Sequence, residues 1–401
     1  MKHTQDGDNM SSTPDRLHLV IAGGGTGGHL FPGIAIAEAF MEKIPDCQVM
    51  FIGTDRPFEK SVLTEKEFTH EAIFVQPLKG RKLWAKLAAL VVFPWSIYQA
   101  ARKMRRFKTD LVVGLGGYSA APVAIGAWLM GIRIVIHEQN ILAGITNRLL
   151  ARLACRIYVS FENTQIPGDT KKIVVSGNPV RREVLVVADQ NAAAARSAAH
   201  RLTVLVLGGS QGAHSLNMAV ADALDELKRV DGLFFIHQTG SADEMDIKTT
   251  YAKHDMACRV AAFFTDVGTQ YAQADLLICR AGATTVAEAA VLGKGCIFVP
   301  FPFAADNHQE FNARALVKAG AAGMILDKDL NGPTVARLVQ YYLSNPQAVT
   351  YMAEQARQFG RPHAAQDIVD DCLVLLRTKR LLATILLGLS SLRMRRMHRK
   401  N

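Results

Sequence analysis

The sequence is poor in cysteine, and no two cysteines lie close together. Six are present in 401 residues, and neighbouring cysteines are at least 17 positions apart along the chain. This spacing excludes the Cys-x-x-Cys pairs that hold zinc or carry redox chemistry. Because most of them lie in apolar, strand-like runs, we predict reduced core residues in a cytoplasmic protein. They are Cys47, Cys155, Cys258, Cys279, Cys296 and Cys372.

An apolar segment of the kind that directs secretion is also lacking. The first 15 residues are polar and carry acidic groups, so we expect a disordered polar tail over 1–15 and no export. With 49% apolar residues in 401, the chain is long enough for two domains that each bury a core of their own.

Acidic residues are missing from two segments in which basic residues are concentrated. Between Ala72 and Thr109 there are nine lysines and arginines, and after Asp371 there are eight more. The formal net charge is +10, yet the chain outside these segments carries more acidic than basic groups. Positive charge confined to two patches indicates an anionic partner that binds in a defined orientation.

Short apolar runs alternate with helix-like stretches through most of the chain. Such β-rich runs, separated by helical lengths, predict parallel sheets covered by helices on both faces. Turn residues at 176–180 precede an alanine-rich polar stretch at 187–200, and we place the link between two domains there. Strands are predicted at 17–22, 48–52, 72–75, 111–114, 133–137, 156–159 and 172–175, then at 202–207, 233–237, 259–263, 275–279, 296–299 and 322–326.

Two glycine-rich turns follow apolar strands and open helices, one within 17–29 and the other within 202–213. Backbone N–H groups at the start of a helix carry partial positive charge, so such turns bind anions, above all phosphate. Ligands of doubly wound sheets bind at the carboxyl ends of the strands. We therefore expect a cleft between two domains that holds two phosphorylated substrates face to face.

The first turn contains the dinucleotide pattern Gly23-x-Gly25-x-x-Gly28, and Asp55 follows the second strand. Taken alone, this short pattern fits an NAD-dependent dehydrogenase or a tight turn without a ligand. His29 comes directly after the turn, where the positive end of the helix favours a neutral imidazole that can accept a proton. A purely structural histidine is the alternative.

Four further polar clusters follow predicted strands. In one of them, Glu288 could accept both hydroxyls of a ribose, or it could be a helix N-terminal carboxylate stabilised by about 0.3–1 kcal/mol. In the last cluster, amide and imidazole groups suit sugar hydroxyls. The clusters lie at 114–119, 137–140, 279–288 and 300–309.

The Asp-x-Asp triplets of metal-dependent sugar transferases occur only at Asp6/Asp8 and Asp327/Asp329. Neither triplet follows a predicted strand that forms the site. We therefore expect no bound metal and no other cofactor. Negative charge on a departing nucleotide would instead be stabilised by backbone amides, helix ends and arginine.

Six motifs occur together in one order along residues 16–376. They are Gly24-Gly-Thr-Gly-Gly-His29 with Pro32, Gly116-Gly-Tyr118, His137-Glu-Gln-Asn140, Gly177-Asn-Pro-Val-Arg181, Gly208-Gly-Ser-Gln-Gly212 and Cys279-Arg-x-Gly-Ala-x-Thr-Val-x-Glu288. Any one of them could arise by chance, but the ordered set is specific. With this set the sequence resembles the MurG family, the peptidoglycan N-acetylglucosaminyltransferases of bacteria.

The resemblance implies an α/β protein with the GT-B fold, in which two Rossmann-like, doubly wound parallel-sheet domains face a cleft. The N-terminal domain, 16–178, would bind the acceptor and the membrane, and the C-terminal domain, 179–350, would bind UDP-N-acetylglucosamine. A final helix at about 360–376 would cross back onto the first domain.

The resemblance also implies roles for single residues. By matching position, Glu288 would hold the donor ribose, and the backbone of Phe264 would contact uracil. Ser210, Thr284 and Thr285 would bind the diphosphate, and the other donor residues would be Arg181, Ala283, His308 and Gln309. The acceptor side would be lined by Gly25, Thr26, Gly27, Gly28, Tyr118 and Asn140, next to His29.

The expected reaction is an inverting transfer of N-acetylglucosamine from UDP-N-acetylglucosamine to the C4 hydroxyl of the MurNAc of undecaprenyl-diphosphate-linked MurNAc-pentapeptide, from lipid I to lipid II. His29 is the expected base, and Glu138 is the second candidate. The alternatives are another GT-B enzyme, such as a sugar-nucleotide 2-epimerase or a glycolipid transferase, an NAD-dependent dehydrogenase, and a membrane-bound scaffold without catalysis.

We expect the basic segments 79–108 and 377–401 to attach the protein peripherally to the anionic cytoplasmic face of the plasma membrane. The apolar stretches within them, 87–101 and 381–392, have 15 and 12 residues, fewer than the ~20 that span a bilayer. The second segment would form a basic amphipathic tail, and the alternative is a disordered tail that binds nothing. Cell-wall synthesis proteins are further candidate partners, whereas nucleic acid is not expected because the tail lacks aromatic stacking residues.

Overall fold

The computed structural model describes residues 16–75, 83–191, 202–209 and 212–377, with side chains except those of 83–91, 190 and 191. The described chain forms one sheet in each half. The first contains β1 Arg16–Ala22, β2 Asp46–Gly53, β3 Thr69–Ala72, β4 Leu111–Gly114, β5 Arg133–Glu138, β6 Arg156–Val159 and β7 Ile173–Val175. The second contains β8 Leu202–Leu207, β9 Leu233–Gln238, β10 Cys258–Ala261, β11 Leu276–Cys279, β12 Gly295–Phe298 and β13 Ala322–Met324.

Both sheets are parallel throughout and have the same kind of topology. The strand order is β3-β2-β1-β4-β5-β6-β7 in the first sheet and β10-β9-β8-β11-β12-β13 in the second. In each sheet the direction of winding reverses beside the first strand, between β1 and β4 and between β8 and β11. Ligands of doubly wound sheets bind at this reversal. The two glycine-rich turns follow β1 and β8, the strands that border the reversal in each sheet. The structure confirms the predicted fold class.

Helices connect the strands and cover the sheets. In the first half they are α1 Gly27–Lys43, α2 Pro57–Glu65, α3 Leu83–Phe107, α4 Ala120–Leu129 and α5 Ile145–Leu150. In the second half they are α6 Arg182–Asn191, α7 His214–Leu227, α8 Glu244–Lys253, α9 Val267–Gln273, α10 Ala283–Leu292, α11 His308–Lys318, α12 Gly332–Ser344 and α13 Pro346–Phe359, and α14 follows at 364–377.

Successive residues of the central strands are buried on opposite faces of the sheet. Leu19 and Ile21 belong to one core with α1, whereas Val20 and Ala22 belong to another with α4. The second sheet is likewise covered on both faces. Two-sided burial explains why these strands are continuously apolar rather than alternating.

The last helix, α14, packs on the first sheet. Ile368 and Cys372 are fully buried in the same core as Leu19. The carboxylate of Asp371 accepts hydrogen bonds from Arg156 Nε at 2.9 Å and from the Tyr158 hydroxyl at 2.8 Å. The chain therefore returns from the second half to complete the first core.

One strand is displaced from its predicted position. The apolar run at 72–75 predicted β3, but the strand covers Thr69–Ala72, where Thr69 pairs with Met50 of β2. Since β3 is the edge strand of the sheet, pairing with β2 defines it more than burial does, and Phe74 beyond its end is 56% exposed.

The cysteines are all free, as predicted. Four of them are buried, while Cys155 and Cys258 are half-buried. Burial raises the pKa of the Cys47 and Cys372 thiols to about 12, so these thiols stay protonated and unreactive. Within the described chain, no helix has the combination of length and hydropathy that crossing a bilayer requires.

Candidate active site

The start of α1, which follows the first glycine turn, faces the start of α10 across the gap between the sheets. Helix α1 of the first half touches α10 of the second, and the Thr284 hydroxyl donates to the Gly28 carbonyl at 3.3 Å. The first turns of α1 and α10 therefore lie next to each other, and residues predicted for the donor and for the acceptor meet there.

The first glycine turn is held by two charged side chains from the β2–α2 region. The Gly25 N–H donates to the Glu59 carboxylate at 3.0 Å, and Arg56 Nη1 donates to the Gly25 carbonyl at 2.9 Å. Glu59 is fully buried and also accepts from the Thr54 hydroxyl at 2.8 Å. Because the Gly25 amide is already bonded, an anion at this turn would bind the other amides.

His29 is held in one tautomer by Gln139. The Gln139 amide nitrogen donates to the Leu115 carbonyl at 3.1 Å, which can only accept. This leaves the amide oxygen of Gln139 to accept from His29 Nδ1 at 3.1 Å. Since Nδ1 carries the proton, Nε2 of His29 has the free lone pair that a general base needs.

The surroundings of His29 keep the ring neutral. Burial lowers its pKa, and His308 lowers it further, against an opposing effect of the Glu138 carboxylate and the Gln139 hydrogen bond. An imidazole with a lowered pKa is unprotonated at neutral pH and able to accept a proton.

Glu138, the second candidate base, has both carboxylate oxygens occupied. It is 1% exposed and accepts from the Asn140 N–H at 2.9 Å, the Gly144 N–H at 3.1 Å and Asn147 Nδ2 at 2.9 Å. These bonds fix the loop between β5 and α5. This geometry favours His29 over Glu138 as a proton acceptor.

Two of the residues predicted to bind the donor, Arg181 and Glu288, form a bidentate ion pair. Arg181 Nε donates to Glu288 Oε1 at 2.6 Å and Nη2 donates to Oε2 at 2.8 Å. The Tyr271 hydroxyl also donates to Oε2, at 3.1 Å. Although burial alone would lower the pKa of Arg181, the Glu288 carboxylate raises it above its ordinary value, so the guanidinium stays charged.

The Arg181 guanidinium also reaches the first half, where it lies 4.7 Å from the ring centroid of Phe31 in α1. The Glu288 carboxylate is therefore satisfied within the protein by Arg181 and Tyr271. The alternative of a helix N-terminal carboxylate is wrong, because α10 begins at Ala283 and Glu288 lies beyond its first turn. The dipole effect fades within that turn.

The first turn of α10 is suited to an anion. It contains Ala283, Thr284 and Thr285, follows Gly282, and has no side chain capping its N-terminus. Backbone N–H groups there have no intrahelical partner. In the second glycine turn, Ser210 lies outside the described residues, and Gln238 links the preceding Gly209 to Phe264. Its amide group donates to the Gly209 carbonyl at 3.2 Å and accepts from the Phe264 N–H at 3.0 Å.

The loop before α11 approaches His29 from the second half. Asp306 and Asn307 have positive φ angles of 55° and 56°, which turn the chain into the helix. His308 Nδ1 bonds to the Ala305 carbonyl at 2.7 Å, and the Gln309 side chain accepts from the Phe301 N–H at 3.0 Å.

The remaining residues predicted for the acceptor side belong to the first half and differ in exposure. Thr26 and Gly28 are exposed, whereas Gly27, Tyr118 and Asn140 are half-buried. The Arg56 guanidinium lies 5.8 Å from the centroid of the Tyr118 ring.

Sequence reasoning missed two buried side chains around this site. Asn312 of α11 is fully buried. Its oxygen accepts from the Ile141 N–H at 3.1 Å, and its nitrogen donates to the Asn140 side chain at 3.0 Å, so it joins the halves. A polar residue beside Ala313 and Leu316 on a buried helix face was the only available signal.

Arg280 is the second buried side chain that sequence reasoning missed. It donates to Asp327 at 2.7 Å and to the Ser215 hydroxyl at 2.8 Å. It thereby fixes the start of α7, which follows the second glycine turn. Asp327, which belongs to one of the Asp-x-Asp triplets, is thus paired with Arg280.

Comparison with known proteins identifies both halves. The model of the glycosyltransferase family 28 N-terminal domain matches residues 19–159, and that of the C-terminal domain matches residues 203–368. A UDP-N-acetylglucosamine–N-acetylmuramyl-(pentapeptide) pyrophosphoryl-undecaprenol N-acetylglucosamine transferase of Syntrophus aciditrophicus is 41% identical over 362 residues, covering 90% of this chain and 99% of that protein. The transferase of the same name from Myxococcus xanthus is 42% identical over 361 residues, covering 90% and 93%.

Solved structures agree with the sequence matches. The crystal structure of Acinetobacter baumannii MurG has 34% identity and a TM-score of 0.70, covering 88% of this chain and 98% of that one. A Neisseria meningitidis UDP-GlcNAc 2-epimerase bound to UDP-GlcNAc has a TM-score of 0.62 at 14% identity, covering 89% and 99%, which is a likeness of fold alone. On the evidence of both domain models and of relatives matched over nearly their whole length, the chain belongs to glycosyltransferase family 28 and, within it, to the MurG family.

Proposed function

We propose that this protein transfers N-acetylglucosamine from UDP-N-acetylglucosamine to the C4 hydroxyl of MurNAc in undecaprenyl-diphosphate-linked MurNAc-pentapeptide. The product is the β-1,4-linked disaccharide of lipid II, made in the last cytoplasmic step of peptidoglycan precursor synthesis. One observation carries the mechanism. A neutral histidine, His29, with a free Nε2 lone pair stands across the gap from the uncapped first turn of α10.

In the proposed step, His29 Nε2 takes the proton of the acceptor C4 hydroxyl as that oxygen attacks the anomeric carbon of N-acetylglucosamine. The new glycosidic bond forms as the bond from the anomeric carbon to the diphosphate oxygen breaks, and UDP leaves with that electron pair. Attack from the opposite face inverts the configuration. The amides of Ala283–Thr285 stabilise the charge that develops on the diphosphate.

Arg181 would change partners when the donor binds. Its ion pair with Glu288 fills the position where we expect the ribose, so release frees the carboxylate for the two hydroxyls and frees the guanidinium for the diphosphate. Phe264 would bind uracil through its carbonyl, because its N–H is bonded to Gln238. Ser210, Thr284, Thr285, His308 and Gln309 would complete the donor site, as the family resemblance implies.

The acceptor would bind to the first half. Gly25, Thr26, Gly27, Gly28, Tyr118 and Asn140 lie around or beside His29 along the first glycine turn and the strand ends next to it. We accordingly divide the chain into an acceptor domain at 16–178 completed by α14 and a donor domain at 179–350.

We also propose peripheral attachment to the anionic cytoplasmic face of the plasma membrane. The aromatic residues Phe74, Trp95 and Tyr98, around α3, are each more than half exposed, and the same helix continues into a basic last turn. Aromatic rings beside basic groups suit the headgroup region of a bilayer. The parts of the basic segments at 79–82 and 378–401 lie outside the described residues, and their role is inferred from composition.

The decisive experiment is transfer of labelled N-acetylglucosamine to a synthetic lipid I analogue. We expect a labelled disaccharide product and release of UDP. Formation of free N-acetylmannosamine with UDP would instead identify a 2-epimerase. A thermal shift with NAD but none with UDP-N-acetylglucosamine would favour a dehydrogenase.

A further inference from the structure

A second histidine, His137 of β5, lies behind the pair formed by His29 and Gln139. Its side chain is fully buried, and both of its ring nitrogens are within hydrogen-bond distance of a partner. Nε2 lies 3.0 Å from the Gly177 carbonyl oxygen, and Nδ1 lies 3.2 Å from the Gln139 amide nitrogen. The imidazole therefore connects the side chain that supports His29 to the segment between β7 and α6, where the chain passes from the first half to the second.

The directions of both hydrogen bonds follow from the Gly177 carbonyl, which can only accept. His137 Nε2 must therefore carry a proton. Burial lowers the pKa of His137 to about 4, so the ring is neutral at neutral pH and holds this one proton. Nδ1 consequently offers a lone pair and accepts from the Gln139 amide nitrogen.

The Gln139 amide nitrogen is thus surrounded by acceptors. One of its hydrogens is bonded by the Leu115 carbonyl at 3.1 Å and the other by His137 Nδ1. The His137 carbonyl, at 3.3 Å, is a poorer alternative because it already accepts from Asn147 Nδ2 at 3.0 Å. Reversing the amide would place its oxygen against these acceptors and aim its N–H groups at His29. The proton of His29 would then move to Nε2, and the lone pair that a general base needs would be lost.

We propose that His137 is a positioning residue for the transfer reaction. It holds the Gln139 amide in the orientation that keeps the proton of His29 on Nδ1 and leaves Nε2 free. This role rests on the proposed function, in which His29 accepts the proton of the acceptor hydroxyl. Because His137 is fully buried, it acts through Gln139 and does not touch the substrates.

The bond to Gly177 points to a rival, purely structural task for His137, which is to anchor the segment that joins the halves. Two substitutions separate the tasks. In His137→Asn the amide oxygen can take the place of Nδ1 and accept from Gln139, but the bond to Gly177 is lost. In His137→Gln the amide nitrogen can take the place of Nε2 and donate to Gly177, but the acceptor for Gln139 is lost.

The two variants serve as controls for each other, because each keeps one of the two ring bonds. For a positioning residue, His137→Gln should lower kcat about three- to tenfold, the fold-change that one neutral hydrogen bond supplies. His137→Asn should stay within about twofold of the wild-type kcat, and KM for both substrates should change little in either variant, since no contact with a substrate is removed.

Nitrogen NMR of the full chain, with isotope-labelled histidine, measures the tautomer of His29 without relying on activity. Protonated and unprotonated ring nitrogens differ widely in chemical shift, and comparison with His29→Ala assigns the signals. We expect Nε2 of His29 to be unprotonated in the wild type and in His137→Asn. In His137→Gln a share of the molecules should carry the proton on Nε2.

Equal kcat values in the two variants, or a greater loss in His137→Asn, would overturn the proposal and leave His137 as an anchor. An unchanged His29 tautomer in His137→Gln would overturn it as well. The wild-type spectrum is decisive without any variant of His137, because a proton on Nε2 of His29 would refute the whole chain of hydrogen bonds. Failure of the proposed function is seen separately, as a wild-type kcat in His29→Ala.

Discussion

At the scale of single residues, the pairing of His29 with Gln139 decides which nitrogen can accept a proton. His29→Ala should lower kcat by roughly 10²–10⁴, the usual cost of losing a general base, while the Kd for UDP-N-acetylglucosamine stays close to that of the wild type. Single-turnover transfer and direct donor binding measure the two effects. A kcat within about threefold of wild type would remove His29 from this role.

Gln139→Leu is the matched control for that substitution. It keeps the imidazole and removes the group that fixes its tautomer, so its kcat should lie between those of wild type and His29→Ala. A Gln139→Leu enzyme as impaired as His29→Ala would instead indicate collapse of the local structure.

Glu288 gives a second prediction at this scale. If its carboxylate accepts both ribose hydroxyls, Glu288→Gln should weaken UDP-N-acetylglucosamine binding by about 1.5–3 kcal/mol, the worth of hydrogen bonds to a charged group. The 2′-deoxy donor should then lose less affinity on this variant than on wild type. Equal losses on both proteins would show that Glu288 serves only to hold Arg181.

Tyr271→Phe separates these possibilities further. It removes one hydrogen bond to the same carboxylate and leaves the ribose contact available. We expect it to change the preference for the 2′-hydroxyl much less than Glu288→Gln does.

At the scale of elements, α14 and the residues that follow it have separate tasks. The helix packs against the first core as far as Leu376, so a truncation that removes 378–401 spares it. This cut should markedly weaken binding to anionic vesicles at low salt, because each basic group near such a surface adds about 1 kcal/mol. Turnover of a water-soluble acceptor should persist.

Vesicle sedimentation at two salt concentrations measures this effect. Neutral vesicles are the control, since they remove the electrostatic contribution but keep the apolar one. Undiminished binding of the truncated protein would leave α3 and its aromatic neighbours as the membrane-binding surface.

At the scale of the whole molecule, buried histidines link stability to pH. Burial lowers the pKa of His237 to about 3 and that of His137 to about 4, while an unfolded histidine titrates near ~6.5. Between these values the unfolded chain binds protons that the folded chain does not. The free energy of unfolding should therefore fall as pH decreases from about 6.5, by up to ~1.4 kcal/mol per pH unit for each histidine.

Urea unfolding at pH 7 and pH 5 measures this dependence. His237→Gln should make it less steep, because the variant lacks one of the linked groups. His214→Gln is the control, since the His214 side chain is 75% exposed. An equally steep dependence in both variants would contradict the assignment to His237.

The sequence by itself determined the local elements of this molecule. Apolar runs of strand length, such as 202–207, separated by helical lengths specify parallel strands, because two-sided burial needs no alternation. The glycine-rich turns could be placed because few residues other than glycine adopt positive φ, as Gly25 does at 85°. Ordered motifs around them were sufficient to predict the fold class and the family. The register of β3 was beyond such reasoning, since an edge strand takes its position from its neighbour.

Only the tertiary structure decided how the polar groups of the site are paired. The Gln139 contact that sets the tautomer of His29 spans 110 residues of sequence, and the bond from Asn312 to Asn140 spans 172. The Arg181–Glu288 ion pair, 107 residues apart, likewise depends on how two sheets are placed against each other. Local sequence fixes which side chains follow a strand or open a helix. Which of them meet depends on the packing of elements that are distant along the chain.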